Sequence, residues 1–342
     1  MQCPVCGGSC LEDAPQVIES LSSAFSPCPR CGFRLLDKNA PFSGNEILQP
    51  CSCGRRFIDE VFAHLYRILR EAGVFSGSEP LKAVGTPLVH PGFAMTAPPF
   101  LPARSLVLVS RAVTPEAALR MAREVPEIRG VVRTGDFIPG VTDPDLAASP
   151  RTYELLAGCD VRADVFLTGS GPLVLYKQQS MMHIEFPRPK NPKIVSVEQS
   201  VRAMRPGWFV DACSGAGTLG LTAARMGVPH VLCNDAWFAA AFWTACNLSV
   251  NRALLQIGEV QMLTSYEALR DHPVGRYPLQ VAKTTGEQDI TVYHGDYREL
   301  HNILPPCPVL AALDIFEKSD QAATGQIIEN WRRNVTGEVF IP

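Results

Sequence analysis

Nowhere does this 342-residue chain reach about 18 uninterrupted apolar residues, so no membrane-spanning helix is expected. The opening MQCPVCGGSC lacks a basic region followed by an apolar run, so no secretory leader is expected either. The expected setting is the cytoplasm. Charge is scarce and nearly balanced: 31 Lys+Arg face 34 Asp+Glu, for a net charge of −3. A polycationic nucleic-acid binder is thereby excluded, and any such contact must come from a local patch. No internal repeat or low-complexity tract is present. What remains is a chain with 46% hydrophobic and 19% charged residues, able to bury a core and long enough for two or three domains.

Cysteine is plentiful and unevenly placed. Of 12, seven lie at the start: Cys3, Cys6, Cys10, Cys28, Cys31, Cys51 and Cys53. In a reducing compartment they point to metal rather than to disulfides. CPVCG, CPRCG and CSCG are knuckle-like turns that aim two thiolates at one ion, and four thiolates suit tetrahedral zinc. Two pairings are open. One joins Cys28, Cys31, Cys51 and Cys53, leaving Cys3, Cys6 and Cys10 for a second site. The other joins Cys3, Cys6, Cys28 and Cys31. The first is preferred, because CGFRLL and CGRRFI continue each knuckle as a strand would. An iron–sulfur cluster is the rival. His64 reads as a packing or surface residue, not a ligand.

The chain divides by pattern into residues 1–58, a zinc-ribbon-like metal module; 59–103, a helix and Pro-rich linker; 104–190, a small α+β or β-rich middle domain; and 191–342, an α/β domain. DEVFAHLYRIL (59–69) has helical apolar spacing. Six prolines between 80 and 102 argue against helix or central strand. SLVLVS and GVVRTG read as strands flanking a helix capped by Thr114 with Pro115 first in the helix. From about Val197 the expectation is helix 197–204, strand 208–211, helix 217–226, strand 230–234, helix 237–250, strands 289–294 and 309–314, helix 320–333 and strand 337–341. That alternation predicts a parallel, doubly wound, Rossmann-like sheet, C-terminally short. Residues 254–288 read as a helix plus an exposed hairpin.

WFVDACSGAGTLGL (208–221) places Gly215, Gly217 and Gly220 in the GxGxxG spacing of a dinucleotide turn. Asp211, however, ends the apolar run ahead of it, where a carboxylate would repel a pyrophosphate seated on the helix amides. A cofactor with a positive group fits better, and S-adenosylmethionine carries an ammonium and a sulfonium. Asp235 ends the next strand, where its carboxylate can accept both ribose hydroxyls. Asp296 follows the third strand and Asp314 the fourth. Asp211 as a plain loop cap and Asp296 or Asp314 as turn aspartates are the plainer readings. Cys213 has no histidine near it in sequence and reads as a turn filler rather than a nucleophile.

Over residues 197–342 these motifs resemble the class I S-adenosylmethionine-dependent methyltransferases, whose first motif is matched by VDACSGAGTLG. The resemblance implies a cofactor set of Asp211, Ser214, Gly215, Gly217, Asn234, Asp235, Gly295 and Asp296. In it Asp211 orients the methionine end and Asp296 meets the adenine. Asp314 falls where the family places catalytic or substrate-binding residues. DIFEKS replaces the Asn/Asp-Pro-Pro-Tyr/Phe of many enzymes that methylate base amines, which leaves the acceptor atom open. DACSGAG…NDAW…ACNLSVN, with Asn247 and Asn251, is similar to archaeal tRNA guanine methyltransferases.

Positive charge gathers in residues 104–205, with 14 Lys+Arg against 11 acids, while 206–342 carries 9 against 14. Lys177, Arg188, Lys190, Lys193, Arg202 and Arg205 form a segment that a phosphate backbone could follow. The expected activity is therefore methyl transfer to RNA, tRNA or rRNA. The alternatives are a protein acceptor, or a non-catalytic zinc-ribbon adaptor with a relic cofactor fold.

Overall fold

The computed structural model describes residues 1–44, 46–141, 150–316, 318 and 320–342. They group into two units. The first comprises Met1–Cys10, Val17–Asp164 and Gln178–Phe186, and the second Leu11–Gln16, Val165–Lys177 and Pro187–Pro342.

The first unit holds most of α1 (Ala14–Ala24), then β1 (Arg56–Phe57), α2 (Ile58–Glu71), β2 (Thr86–Val89), β3 (Phe100–Leu101), β4 (Leu106–Ser110), α3 (Pro115–Glu124), β5 (Ile128–Arg133) and β6 (Glu154–Gly158). Its main sheet runs β2-β4-β5-β6, with β4 and β5 parallel and the outer pairs antiparallel. β2 contains Pro87 and accordingly lies at an edge, where a missing N–H costs no ladder bond. All of β4 is buried because both its faces are covered. Leu106 and Leu108 join a core with Val61, Leu65 and Leu69 of α2 and Met121 of α3, while Val107 and Val109 pack with Leu88 and Val132. Thr114 caps α3 as expected, its side chain accepting the Ala117 N–H at 3.3 Å. His64 is buried, its Nδ1 lying 3.2 Å from Arg56, whose guanidinium pairs with the equally buried Glu127. Burial, then the Arg56 charge, lowers the His64 pKa to about 4, so the ring packs as a neutral group.

β7 (Val161–Thr168) and β8 (Gly171–Gln178) pair as a two-stranded sheet whose tip belongs to the second unit. That unit continues with α4 (Pro192–Met204), β9 (Trp208–Asp211), α5 (Thr218–Arg225), β10 (His230–Asp235), α6 (Phe238–Val250), α7 (Arg252–Leu255), β11 (Val260–Met262), α8 (Tyr266–Arg270), β12 (Leu279–Thr284), β13 (Asp289–His294), β14 (Val309–Ala312), α9 (Gln321–Asn334) and β15 (Gly337–Phe340). The sheet order is β11-β12-β13-β10-β9-β14-β15. From β13 to β15 every pairing is parallel. Helices cover both faces. Trp331 of α9 packs on Val210, Leu232 and Ala311, and Gly220 of α5 lies against Cys233 on the opposite face. Strand order reverses between β9 and β14, the place where open α/β sheets form a ligand crevice beyond their carboxyl ends.

Two expectations are corrected. Residues 254–288 hold the expected helix, as α8, and an antiparallel strand pair, β11 with β12, but that pair is no exposed excursion: β12 also pairs antiparallel with β13, so the sheet is mixed and seven-stranded. Val281, Ala282 and Thr284 are buried there, which an exposed hairpin could not achieve. Helix α4 begins at Pro192, not 197, because Asn191 caps it by accepting the Lys193 N–H and proline at the first helical position needs no amide partner.

Candidate functional site

The loop after β9 is held shut by its own residues. The Gly215 N–H donates to Asp235 Oδ2 at 2.8 Å, Gly220 N–H to Asp211 Oδ2 at 2.8 Å, Ser214 N–H to Asn234 O at 2.8 Å and Gly217 N–H to Ser214 O at 2.7 Å. Gly215 and Gly217 have φ of +55° and +88°, backbone that side chains rarely adopt. A Cβ on Gly220 would lie 2.2 Å from Cys233 Sγ, so the third glycine sets the approach of α5 to β10. The Ser214 and Thr244 hydroxyls are 3.2 Å apart, and Thr244 also donates to Gly215 O at 3.0 Å.

Asp211 is buried, and its Oδ1 has no hydrogen-bond partner. Burial pushes its pKa up to about 8; the Gly220 amide works against this, and Asp314 and Asp235 reinforce it. Asp235 accepts from Gly215 on one oxygen and from Trp237 N–H, at 2.8 Å, on the other. Burial outweighs those two amides, Asp314 adds to it, and its pKa rises to about 6. The buried Asn234 joins two loops, donating to Ala212 O at 3.1 Å and Gly295 O at 2.9 Å, while its own Oδ1 has no hydrogen-bond partner. Gly295 passes so close to Pro278 that a Cβ would come within 2.6 Å of it.

Asp211, Asp235 and Asp314 are near enough to act on one another, and Asp296 joins them in acting on Cys213. Burial and then Asp235, Asp211, Asp314 and Asp296 all raise the Cys213 thiol, which is held protonated and suits no nucleophilic role. The two outer carboxylates are already engaged. Asp296 caps the 3₁₀ turn Tyr297–Asn302 and is forked by Arg298; burial would raise its pKa, but the guanidinium brings it below the usual range. Asp314 sits between two ammonium groups, Lys193 at 2.7 Å and Lys318 at 2.6 Å. Within DIFEKS, Glu317 and Ser319 lie outside the described residues. A cavity of about 130 Å³ opens beside Tyr297 and Trp331, but none of the four carboxylates lines it.

Lys193, Lys318, Thr244 and Arg298 were not singled out as site residues by sequence. Lys193 belongs to the expected basic segment, and α4 brings its ammonium onto Asp314 while its side chain stays 41% exposed. Lys177 departs from the expected basic segment, being buried with its Nζ 5.6 Å from the centre of the Phe166 ring. Arg188, Lys190, Arg202 and Arg205 are exposed.

In the first unit, Cys28, Cys31, Cys51 and Cys53 bring their sulfurs together. Cys28–Cys51 is 3.6 Å, Cys28–Cys31 3.7 Å and Cys31–Cys53 3.5 Å. Tetrahedral Zn–S bonds of about 2.3 Å put thiolates about 3.8 Å apart, so the set fits zinc. The alternative ring of Cys3, Cys6, Cys28 and Cys31 is not formed; Cys3 and Cys6 join a different cluster. The Cys28–Cys53 module is pinned to the start of α2: Arg34 pairs with Glu60 at 2.8 Å, and Asp59 accepts from Leu36 N–H at 3.0 Å and from Lys38 at 2.8 Å.

No protein-family model matches the chain, and no curated protein matches it. Among solved structures it is similar to Trm1 from Pyrococcus horikoshii in complex with S-adenosyl-L-methionine, at 16% identity and TM-score 0.35 over 52% of this chain and 42% of that one. It is also similar to Trm5b from Pyrococcus abyssi, at 11% identity and TM-score 0.37 over 68% of this chain and 56% of that one. A third likeness is to TYW2 from P. horikoshii in complex with MeSAdo, at 14% identity and TM-score 0.40 over 82% and 78%. The chain spans 42% and 56% of the length of the first two. At these identities and TM-scores the likenesses decide neither site nor substrate, which rest on this chain's own residues.

Proposed function

We propose that the chain is an S-adenosylmethionine-dependent methyltransferase acting on RNA. The observation that carries this reading is the convergence of Asp211, Asp235, Asp296 and Asp314 on a glycine turn whose amides at Ser214, Gly215, Gly217 and Gly220 are already bonded. A pyrophosphate would need those amides free and, above about pH 6, would meet the ionised Asp235. A ligand bearing a sulfonium and an ammonium, and no phosphate, meets neither objection. The unpartnered Asp211 Oδ1 and Asn234 Oδ1 are buried acceptors of the kind such a ligand satisfies.

The cofactor supplies an activated methyl group. In this reading the residues that hold it are Asp235, whose oxygens each keep a lone pair for ribose hydroxyls, Asp211 at the methionine end, and the Ser214–Gly217 turn, which permits close approach. Asn234 and Gly295 fix the neighbouring loop, and Asp296 with Arg298 borders the adenine side. Asp314 faces the acceptor, and the bracketing lysines keep its carboxylate engaged, so it serves to position rather than to remove a proton unless one lysine leaves. RNA is favoured as acceptor by the exposed Arg188, Lys190, Arg202 and Arg205.

The test is calorimetric binding of S-adenosylhomocysteine with NADH as comparison, followed by transfer of labelled methyl from S-adenosylmethionine to tRNA, rRNA or protein. Micromolar binding of the first ligand alone, then label in RNA, is the expected result. NADH binding would refute the cofactor assignment. Label in protein would refute the acceptor assignment, and binding of neither ligand would leave a non-catalytic adaptor.

A further inference from the structure

The sulfurs of Cys3, Cys6, Cys10 and Cys159 also lie within 4.8 Å of one another. Cys3–Cys159 is 3.9 Å, Cys6–Cys10 3.7 Å and Cys10–Cys159 4.0 Å. These are close to the edges of a tetrahedron built on Zn–S bonds of about 2.3 Å. We propose that these four cysteines bind a second zinc ion, which fastens the first ten residues to the turn between β6 and β7.

The backbone on both sides is shaped for it. Cys3 N–H donates to Gly8 O at 3.0 Å and Gly7 N–H to Cys3 O at 2.9 Å, with Gly7 at φ +67°, so the chain curls and turns Cys3 and Cys6 toward one point. Cys159 is placed by Gly158, whose φ is +75° and whose Cβ would come within 2.3 Å of Arg129 O. Only glycine permits that approach, and Cys159 N–H then donates to the same carbonyl at 2.8 Å. Arg129 is buried, bonds Val161 O at 2.8 Å and reaches Cys10 O at 3.4 Å. Its guanidinium supplies positive charge beside four thiolates, whose complex with Zn²⁺ would otherwise bury net negative charge.

The segment has little else to hold it. Within residues 1–10 only Cys3 is buried, and no large aliphatic or aromatic side chain there enters the core. A metal crosslink across 149 residues, from Cys10 to Cys159, supplies the restraint that packing does not. The inference is independent of the proposed methyl transfer.

The test is zinc content per full-length chain, purified in reducing buffer and measured by plasma mass spectrometry. Two ions are expected in the wild type, and one each in Cys159→Ser, Cys6→Ser and Cys53→Ser. None is expected in the Cys6→Ser/Cys53→Ser double variant. Cys6 is exposed, so its replacement leaves no cavity and keeps the test decisive if Cys159→Ser does not fold. Limited proteolysis of Cys6→Ser should release an N-terminal peptide that the wild type protects. One ion in the wild type that persists in Cys6→Ser would overturn the proposal. So would two ions in Cys159→Ser, or iron in place of zinc.

Discussion

Both oxygens of Asp235 accept amide protons from Gly215 and Trp237, so this side chain shapes the crevice as well as offering it charge. Charge-assisted hydrogen bonds contribute about 1.5–3 kcal/mol each. Asp235→Ala, which loses both ribose contacts, should therefore weaken S-adenosylhomocysteine binding by at least roughly 100-fold in calorimetry. Asp235→Asn, which keeps one acceptor, should lose less; equal affinity in all three proteins would refute the role. Asp211 and Asp235 have pKa values raised from 3.8 to about 8 and about 6. Raised carboxyl pKa values mean that the folded state holds protons the unfolded chain sheds. Their contribution to stability is full below 3.8 and is lost as pH rises through about 6 and then about 8. A sulfonium beside them favours ionisation, so its binding should expel protons. The ratio of S-adenosylmethionine to S-adenosylhomocysteine affinity, which cancels their shared amine, should rise between pH 6 and 8. A flat ratio would mean that neither carboxyl faces the sulfonium.

At the scale of elements, α6 does two jobs with two asparagines one turn apart, Asn247 within it and Asn251 at its C-cap. Asn247 accepts Tyr176 N–H at 2.7 Å and donates to Tyr176 O at 2.9 Å and Ala216 O at 3.0 Å. Asn251 treats Val174 the same way, at 3.0 and 2.6 Å. The two amides stand in for a neighbouring strand along β8. Removing either leaves buried backbone groups unpaired, at about 2–4 kcal/mol. Asn247→Ala and Asn251→Ala should both lower the melting midpoint. Only Asn247→Ala should also weaken cofactor binding, because only it reaches the glycine loop; equal affinity losses would refute that division. The glycines separate similarly. Gly220→Ala forces α5 off Cys233 and should cost about 1–3 kcal/mol in denaturant unfolding. Gly215→Ala meets open space and should cost only its left-handed backbone, about 1–2 kcal/mol.

At the scale of the whole molecule, a net charge of −3 means that the proposed RNA contact must come from a local patch, and the exposed Arg188, Lys190, Arg202 and Arg205 are the proposed one. Each contact to single-stranded phosphate contributes about 0.7 to the slope of log affinity against log salt. Changing all four to glutamine should flatten that slope by up to roughly 3 without altering S-adenosylhomocysteine binding. An unchanged slope would place the RNA elsewhere or exclude it.

Much of the placement of the candidate site was legible in the order of residues. Apolar runs ending in Asp211, Asp235 and Asp314, and the spacing of Gly215, Gly217 and Gly220, are local features, and strands and turns respond to local sequence. The Cys28, Cys31, Cys51 and Cys53 set was legible for the same reason, since each knuckle is complete within a few residues. Other features only tertiary structure decided. Cys159 has no neighbouring cysteine to announce it and becomes a ligand only because Gly158 brings it against Arg129. Lys193 reaches Asp314 because α4 starts at Pro192, five residues before its apolar pattern suggested. β11 and β12 lack a strong period-two pattern, and their place at the sheet edge comes from pairing with β13, a contact no local window contains. Asn247 and Asn251 read as a motif in sequence; only the fold showed them holding the backbone of β8.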